Sequence, residues 1–153
     1  MRYLLAVAAL AACTPPAHVA PLAATTPTIA PDYAPPAGAL NPAVTQATIG
    51  ATICTPGWTA TIRPPTSYTT PLKLAQMAAR HLPGSPADYS EDHYVALAVG
   101  GAPRDPANLW PEKLAAAHLK DRAEVRLHTA VCAGTMTLAD AQAAIVDPNE
   151  WHG

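Results

Sequence analysis

The sequence lacks phenylalanine entirely and is poor in charge, since only 13% of its 153 residues are Asp, Glu, Lys or Arg. Nine basic residues stand against eleven acidic ones, which gives a net charge of −2 with histidine neutral. Proteins that grip duplex nucleic acid without sequence preference usually carry a clear positive excess. The charge balance therefore argues against a strong nucleic-acid binder that acts through overall charge alone.

The N-terminus lacks an apolar run long enough to cross a bilayer as a finished helix. The run Leu4–Ala12 follows a positive start at Arg2. A short apolar core after a basic residue is typical of a secretory signal. We therefore predict a signal peptide over residues 1–12.

The residues before Cys13 resemble the lipobox of bacterial lipoproteins. Leu10-Ala11-Ala12 stands directly before this cysteine. The resemblance implies cleavage before Cys13, lipidation of Cys13 and a membrane anchor. Thr14 rather than an aspartate follows, which favours the outer membrane, with the domain in the periplasm. An ordinary signal peptide with an incidental cysteine is the alternative.

Proline is abundant but unevenly distributed. Eight of the 18 prolines fall within residues 14–42. A stretch of this composition cannot build a core and is expected to be extended and mobile. We predict a disordered linker over residues 13–43, followed by one folded domain over residues 44–153.

The sequence has only three cysteines and none with the spacing of a zinc ribbon. Setting Cys13 aside leaves Cys54 and Cys132, an even pair in what should be an oxidising compartment. We predict a disulfide between them that ties the front of the domain to the end of a long helix. Two buried free thiols are the alternative.

The pattern of apolar residues predicts an α+β domain with an N-terminal β-hairpin. Alternation over Gln46–Cys54 and again over Trp58–Arg63 indicates two strands. Pro56-Gly57 between them has the signature of a type II turn. A helix capped by Thr70 should follow and end near Gly84.

The stretch from Tyr89 to Trp110 is the centre of the predicted domain. Alternation of Val95, Leu97 and Val99 with smaller residues favours a strand after His93. Gly100-Gly101 and the prolines that follow predict a turn. Asn108 should then open a brief return strand.

Two further helices complete the prediction. Pro111 should begin a long helix that runs to Cys132. Thr137 and Asp140 resemble a capping box that opens a last helix over Leu138–Val146. Trp151 should pack back on the domain as a terminal anchor.

The order of these pieces resembles the HNH, or ββα-metal, nuclease family. In sequence order the matching residues are Asp92-His93, Gly100-Gly101 and Asn108-Leu109. The resemblance extends over about residues 45–151 to a bacterial group of exported HNH-like proteins. The segments that carry it are Cys54–Thr69, Asn108-Leu109-Trp110-Pro111 and Lys120-Asp121 with Glu124, Leu127 and His128.

The resemblance implies a site built around a divalent metal ion. It makes His93 the general base, a role that suits an imidazole near neutral pH. It makes Asp92 the first metal ligand, and Asn108 either pins the loop and orients His93 or offers an oxygen to the metal. Mg²⁺ is the expected ion, with Mn²⁺ or Zn²⁺ as alternatives. For the helical ligand, His118 comes first and Asp121 next, with Glu124 and His128 as further choices.

Phosphate contacts are expected from Lys120 and Arg122, although solvated helix charges are the common alternative for both. Arg63 is expected to face a phosphate if it lies near His93, and otherwise to face solvent. Two functions follow from these residues. The first is a lipid-anchored, metal-dependent endonuclease acting on DNA or RNA in the cell envelope. The second is a non-catalytic envelope binding module on the same scaffold. The acidic balance, and Ala98 where the related group often has glutamate, favour the second function, whereas the intact Asp92, His93 and Asn108 favour the first. The endonuclease is the predicted function and the binding module is the alternative.

Overall fold

The structure is a computed structural model that describes residues 34–152. The predicted signal peptide, the lipidation site Cys13 and most of the predicted linker lie outside the described residues. No helix within residues 34–152 has the length and apolar character needed to cross a membrane.

The domain combines four helices with a two-stranded antiparallel sheet, which confirms the predicted α+β class. The strands are β1 (Tyr89–His93) and β2 (Leu109–Lys113). The helices are α1 (Trp58–Ile62), α2 (Thr66–Ala79), α3 (Leu114–Cys132) and α4 (Leu138–Ile145). Short 3-10 turns at Ile49–Ala51, Pro86–Asp88, Leu97–Val99, Pro106–Asn108 and Pro148–His152 connect or extend these elements.

The strand–loop–strand–helix order places a long loop between two paired strands. The register runs from Tyr89 opposite Lys113 to His93 opposite Leu109. Pro111 lies inside β2, which a two-stranded sheet tolerates because each strand has one edge without ladder partners. Helix α3 follows β2 directly and packs on the hairpin. The C-terminal end of β1, where His93 stands, is therefore close to both α3 and the loop.

Three boundaries of the central unit differ from the prediction. The strand precedes Tyr94, and the expected strand over Val95, Leu97 and Val99 is instead a loop containing a 3-10 turn. All three side chains are buried, because the single turn points them into the core rather than alternating them across a sheet. The long helix begins at Leu114, since residues up to Lys113 pair with β1.

The predicted N-terminal β-hairpin is wrong. Its two expected strands are a 3-10 turn at Ile49–Ala51 and helix α1. Threonine hydroxyls close local turns here, since Thr52 Oγ1 donates to Thr48 O at 2.8 Å and Thr55 Oγ1 donates to Gly50 O at 2.9 Å. Such local side-chain bonds compete with a strand ladder and supply an alternative to it.

Helix α2 also begins earlier than predicted, at Thr66 rather than after Thr70.

The chain is ordered before Val44 as well. The Gly38 backbone N–H donates to Ala107 O at 2.8 Å, and Leu40 forms a β-bridge with Gly101. The final residues of the expected linker thus pack on the loop that precedes β2.

Helix α3 supplies the centre of the hydrophobic core. Its buried face includes Ala123, Leu127 and Val131, which pack with α4 and Trp151. Trp151 Nε1 donates to Ile145 O at 2.9 Å, which confirms its role as a terminal anchor. The N-cap of α4 is confirmed by the Asp140 backbone N–H, which donates to Thr137 Oγ1 at 3.1 Å.

The predicted disulfide is confirmed, since Cys54 and Cys132 are bonded through their Sγ atoms. It joins the turn before α1 to the last residue of α3. This link fixes the N-terminal segment, including the chain that leads to Arg63, against the far end of the core helix.

Candidate functional site

Asn108 holds the loop that follows His93. Its side chain is fully buried, and its Oδ1 accepts a hydrogen bond from Val95 N–H at 2.8 Å. Its Nδ2 donates to Val95 O at 3.0 Å and to Ala102 O at 2.9 Å. The amide therefore closes the loop on itself, which is the loop-pinning role expected for this residue.

Gly101 lets the loop approach Asn108 this closely. A Cβ atom built on Gly101 would lie 1.8 Å from Val95 O and 2.7 Å from Asn108 Nδ2. Neither neighbour can move without losing the hydrogen bonds of the loop, so any side chain here would open it. Glycine is thus required at position 101 by the close approach of Val95 O and Asn108.

His93 stands at the end of β1 with only 5% of its surface exposed. Its Nε2 lies 3.0 Å from Pro103 O. A carbonyl only accepts hydrogen bonds, so we assign the ring proton to Nε2, which leaves Nδ1 with the lone pair. Burial lowers the pKa of His93, and the nearby Arg63 charge lowers it further, against the opposing effects of Pro103 O and Asp92. The neutral ring is the form that can take a proton.

A cleft with a volume of about 370 Å³ opens between β1 and the α1–α2 segment. Four of its lining residues carry a basic or a carboxyl group. These are Arg63, Lys73, Glu91 and His93. The rest of the lining comes from Pro64, Thr66, Thr69, Thr70, Tyr89, Ser90 and Leu114. The cleft therefore brings an imidazole, a carboxyl group and two cations to one surface.

Glu91 lies two residues before His93, so both side chains lie on the same face of β1. Neither carboxyl oxygen of Glu91 has a hydrogen-bond partner within residues 34–152, and both oxygens are buried. Burial raises the pKa of Glu91 to about 7; the Lys73 charge opposes this shift and the Asp92 charge adds to it. A pKa in this range lets the carboxyl group give or take a proton near neutral pH.

Arg63 reaches the cleft from the end of α1, where it is the C-cap residue. Its charge lowers the pKa of both His93 and Glu124, which places its guanidinium within electrostatic reach of both groups. The side chain is exposed. The expectation that Arg63 faces a phosphate required it to lie near His93, and the structure brings the two residues to one cleft.

Asp92 lies on the opposite face of β1 and contacts α3. Its Oδ2 accepts a hydrogen bond from Lys120 Nζ at 2.6 Å. Lys120 also donates to His93 O, and its Nζ lies 3.6 Å from Glu112 Oε2. With 2% of its side chain exposed, Lys120 cannot reach a substrate phosphate, which corrects the predicted role.

The two carboxyl groups around Lys120 differ in charge. Burial tends to raise the pKa of Asp92, but the Lys120 ammonium and the hydrogen bonds from Glu112 and Lys120 lower it overall. Burial raises the pKa of Glu112. The hydrogen bond with Asp92 and the charge of Asp92 raise this pKa further, while the Lys120 charge lowers it. The group is therefore an ionised Asp92, a charged Lys120 and a protonated Glu112, which together are neutral.

The helical residues expected to act on metal or phosphate are mostly turned away from this group. His118, Asp121 and Arg122 are all exposed on α3. Glu124, one turn beyond Lys120, is the helical candidate that interacts with Asp92. Burial raises the pKa of Glu124 and the Asp92 charge adds to the shift, while Lys120 and Arg63 oppose it.

The residues around Asp92 do not fit a divalent ion. The Asp92 carboxylate is already neutralised by the Lys120 ammonium, and the structure does not gather Asp92, His118 and Asp121 at one point. Within residues 34–152, three potential metal ligands do lie together at another place. These are Cys54, His128 and Cys132, whose ligand atoms lie within 4.8 Å of one another. That group could hold a metal ion only when reduced, because thiolates and not disulfide sulfurs bind metals.

Several residues of the cleft were not found by sequence reasoning. Lys73 and Glu91 were not singled out, and neither was Glu112 beside Lys120. For Glu91 a signal existed, because its spacing of two from His93 puts both on one strand face once the strand is placed correctly. Lys73 belongs to a helix that is distant in sequence, and only the packing of α2 on β1 brings it to the cleft.

The comparisons with family models, curated proteins and solved structures found no match for this chain. Its function is therefore inferred from the residues of the site.

Proposed function

We propose that the domain cleaves phosphodiester bonds of nucleic acid in the cleft beside His93. The observation that carries this proposal is that His93 and Arg63, distant in sequence, line the same cleft. An imidazole that can take a proton and a guanidinium that can hold a phosphate are the two groups such a reaction needs first. The resemblance of the hairpin and helix to the HNH unit supports the same reaction class.

The roles of the groups follow from their chemistry. His93 Nδ1 takes a proton from the nucleophile. The exposed Arg63 binds the non-bridging oxygens of the phosphate through paired N–H groups. Lys73 uses two of its protons on Pro86 O and Tyr89 O, both at 2.8 Å, and adds a fixed positive charge to the cleft.

Asn108 and Lys120 act through position rather than by contact with substrate. Asn108 fixes the loop that provides Pro103 O, the acceptor for His93 Nε2. Lys120 binds the backbone oxygen of His93 and so holds the end of β1 against α3. The resemblance implies Mg²⁺ beside Asp92, but the ammonium of Lys120 stands there, and no step is assigned to a metal ion.

The location of this activity is part of the proposal. The signal and the lipobox at Cys13 support an anchor in the bacterial envelope, with the domain in the periplasm. The disulfide between Cys54 and Cys132 is consistent with an oxidising compartment. An envelope nuclease would meet nucleic acid that enters or leaves the cell.

A binding module without catalysis is the second candidate. The net charge of −2 favours it, because a nuclease usually benefits from a positive surface that attracts its substrate. The buried network of Lys120 also favours it, since this part of the site is neutral and closed to ligands. Such a module would bind its partner without cleaving nucleic acid.

Incubation of the purified full-length chain with plasmid DNA and with structured RNA tests the proposal. Each substrate is supplied with Mg²⁺, with Mn²⁺ or with excess chelator. We expect cleavage of at least one substrate, and its loss in His93→Ala but not in His118→Ala, which alters an exposed histidine of α3. Folded protein that cleaves neither substrate would favour the binding module instead.

A further inference from the structure

We propose that the substrate of this cleft is RNA, cleaved by attack of its own 2′-hydroxyl group without a metal ion. This inference rests on the proposed phosphodiester cleavage and adds the substrate class and the nucleophile. Three features of the described residues support it: the position of Lys120, the pairing of Glu91 with His93, and the cations of the cleft.

The first feature is the ammonium of Lys120 beside Asp92. Its 2.6 Å contact with Asp92 and its contact with the His93 carbonyl fill the space between β1 and α3. In a metal-dependent nuclease the bound ion activates a water molecule as the nucleophile. A buried lysine can neutralise Asp92 but cannot produce a bound hydroxide. On DNA, His93 could deprotonate only a free water molecule that no ion binds or polarises, so the nucleophile would be poorly positioned and weakly activated in this cleft.

RNA carries its nucleophile next to the bond that breaks. The 2′-hydroxyl is held beside the phosphorus by the ribose, so attack is intramolecular and does not require a bound water. The protein must then supply a base, an acid and positive charge around the phosphate. These are the groups that line the cleft.

The second feature is the pair of proton-transfer groups on one strand face. Glu91 and His93 are two residues apart on β1, which separates their Cα atoms by roughly 7 Å. Both side chains line the cleft. The Glu91 oxygens are buried, but no hydrogen bond within residues 34–152 holds them, so rotation of the side chain can bring the carboxyl group to a bound phosphate. Two groups with this spacing can serve the attacking and leaving oxygens of one phosphate.

The third feature is the positive charge and size of the cleft. Arg63 and Lys73 both belong to its lining and can face the non-bridging oxygens, where negative charge develops. The volume of about 370 Å³ lies within the range of small-molecule sites and suits one nucleotide unit. Thr66, Thr69 and Thr70 add hydroxyl groups along the same wall.

The reaction is an internal transfer in which bonds and protons balance. The 2′-oxygen forms a bond to phosphorus, and its proton moves to His93 Nδ1. The bond from phosphorus to the 5′-oxygen breaks, and that oxygen takes the proton of the Glu91 carboxyl group. The products are a 2′,3′-cyclic phosphate and a free 5′-hydroxyl. No oxidant, reductant or further reactant takes part.

The test compares three oligonucleotides of one sequence, made as RNA, as 2′-O-methyl RNA and as DNA. Each is incubated with the full-length chain in excess chelator and again with Mg²⁺. We expect cleavage of RNA alone, at the same rate in both conditions, with cyclic phosphate ends detected by mass spectrometry. His93→Ala protein purified in parallel should be inactive, which excludes a contaminating ribonuclease.

Cleavage of DNA or of 2′-O-methyl RNA would overturn the RNA inference and leave phosphodiester cleavage intact. RNA cleavage that requires Mg²⁺, or that leaves 5′-phosphate ends, would do the same. No cleavage of any oligonucleotide would overturn both proposals. Glu91→Gln isolates the acid, and it should lower the rate on RNA by at least about 100-fold. Glu150→Gln, at an exposed position, is the matched control and should retain the wild-type rate.

Discussion

The ammonium of Lys120 lies 2.6 Å from a carboxylate oxygen of Asp92, in the buried space between β1 and α3. A buried charge is stable only when it is paired, because the free energy needed to remove it from water is far larger than the stabilisation that a surface ion pair provides. The pair ties the core helix to the strand that carries Glu91 and His93. The integrity of the cleft therefore depends on a contact made on the opposite face of that strand.

Lys120→Met should destabilise the domain by about 3 kcal/mol, the low end for a broken buried ion pair, because Asp92 is left without a partner but keeps 24% of its side chain exposed. Methionine keeps the unbranched chain as far as the position of Cε, so the loss mainly reports the ammonium rather than a large cavity. Urea unfolding followed by circular dichroism measures the change. The control is Arg122→Met, which removes an exposed cation from the same helix. Equal stability of the two variants would refute the buried-pair account.

Asn108→Asp should open the loop that follows His93. The substitution keeps the shape of the side chain but replaces Nδ2, the donor to Val95 O and Ala102 O, with an oxygen. Each unpaired carbonyl should cost about 1–3 kcal/mol in free energy of unfolding. Asp105→Asn makes the reverse exchange in the same loop and keeps the oxygen that accepts from Ala107 N–H. Only the first variant should lower the denaturation midpoint by more than a few degrees.

The raised pKa of Glu91 predicts how stability depends on pH. The folded protein holds this proton up to about pH 7, whereas the unfolded chain releases it near the ordinary glutamate pKa of 4.5. The contribution of Glu91 to stability is therefore fully present below the unfolded pKa and is lost as the pH rises through about 7. Glu91→Gln, which cannot ionise, should gain stability relative to the wild type across this interval.

Urea unfolding of both proteins between about pH 5 and pH 8 measures this difference. Glu150→Gln should follow the wild-type curve, because its side chain is exposed. Parallel curves for Glu91→Gln and the wild type would mean that the Glu91 carboxyl group ionises normally in the folded protein.

Reduction of the disulfide should have two separable effects. Release of Cys54 from Cys132, which are 78 residues apart, should cost about 4 kcal/mol in the chain-entropy model.

The freed thiolates would join His128, whose Nε2 lies 3.4 Å from Cys132 Sγ, in a group that could hold a metal ion. Reduced protein should therefore bind Co²⁺ with a thiolate absorption band, and oxidised protein should not. His128→Ala should weaken the band, and an unchanged band would exclude His128 as a ligand.

The parts of the fold that depend on local chemistry could be predicted from the sequence. The α+β class, the cap at Thr137, the anchor at Trp151 and the cysteine pair all follow from residue types and spacing. The strand after His93 was misplaced because Val95, Leu97 and Val99 alternate as a strand does, while tertiary packing buries all three. The N-terminal hairpin failed for a similar reason, since threonine turns satisfy that backbone locally.

The loop that follows His93 was predicted in outline, but the side chains that surround His93 and Asp92 were not. The order of His93, Gly100-Gly101 and Asn108 predicted the position of the loop and identified Asn108 as the residue that holds it. The role of Lys120 could not be read from the sequence, because a lysine on a helix is usually solvated and only the packing of α3 buries this one. Arg63 joins the cleft through the position of α1, which the predicted hairpin would have placed differently.

The steady-state kinetics of His93→Ala on an RNA substrate would test the central claim most directly. If His93 is the base, kcat should fall by about 100- to 10,000-fold while KM changes little, because phosphate binding belongs to Arg63. Arg63→Ala should instead change KM more than kcat. A His93→Ala protein that remains folded and retains the wild-type kcat would contradict the account.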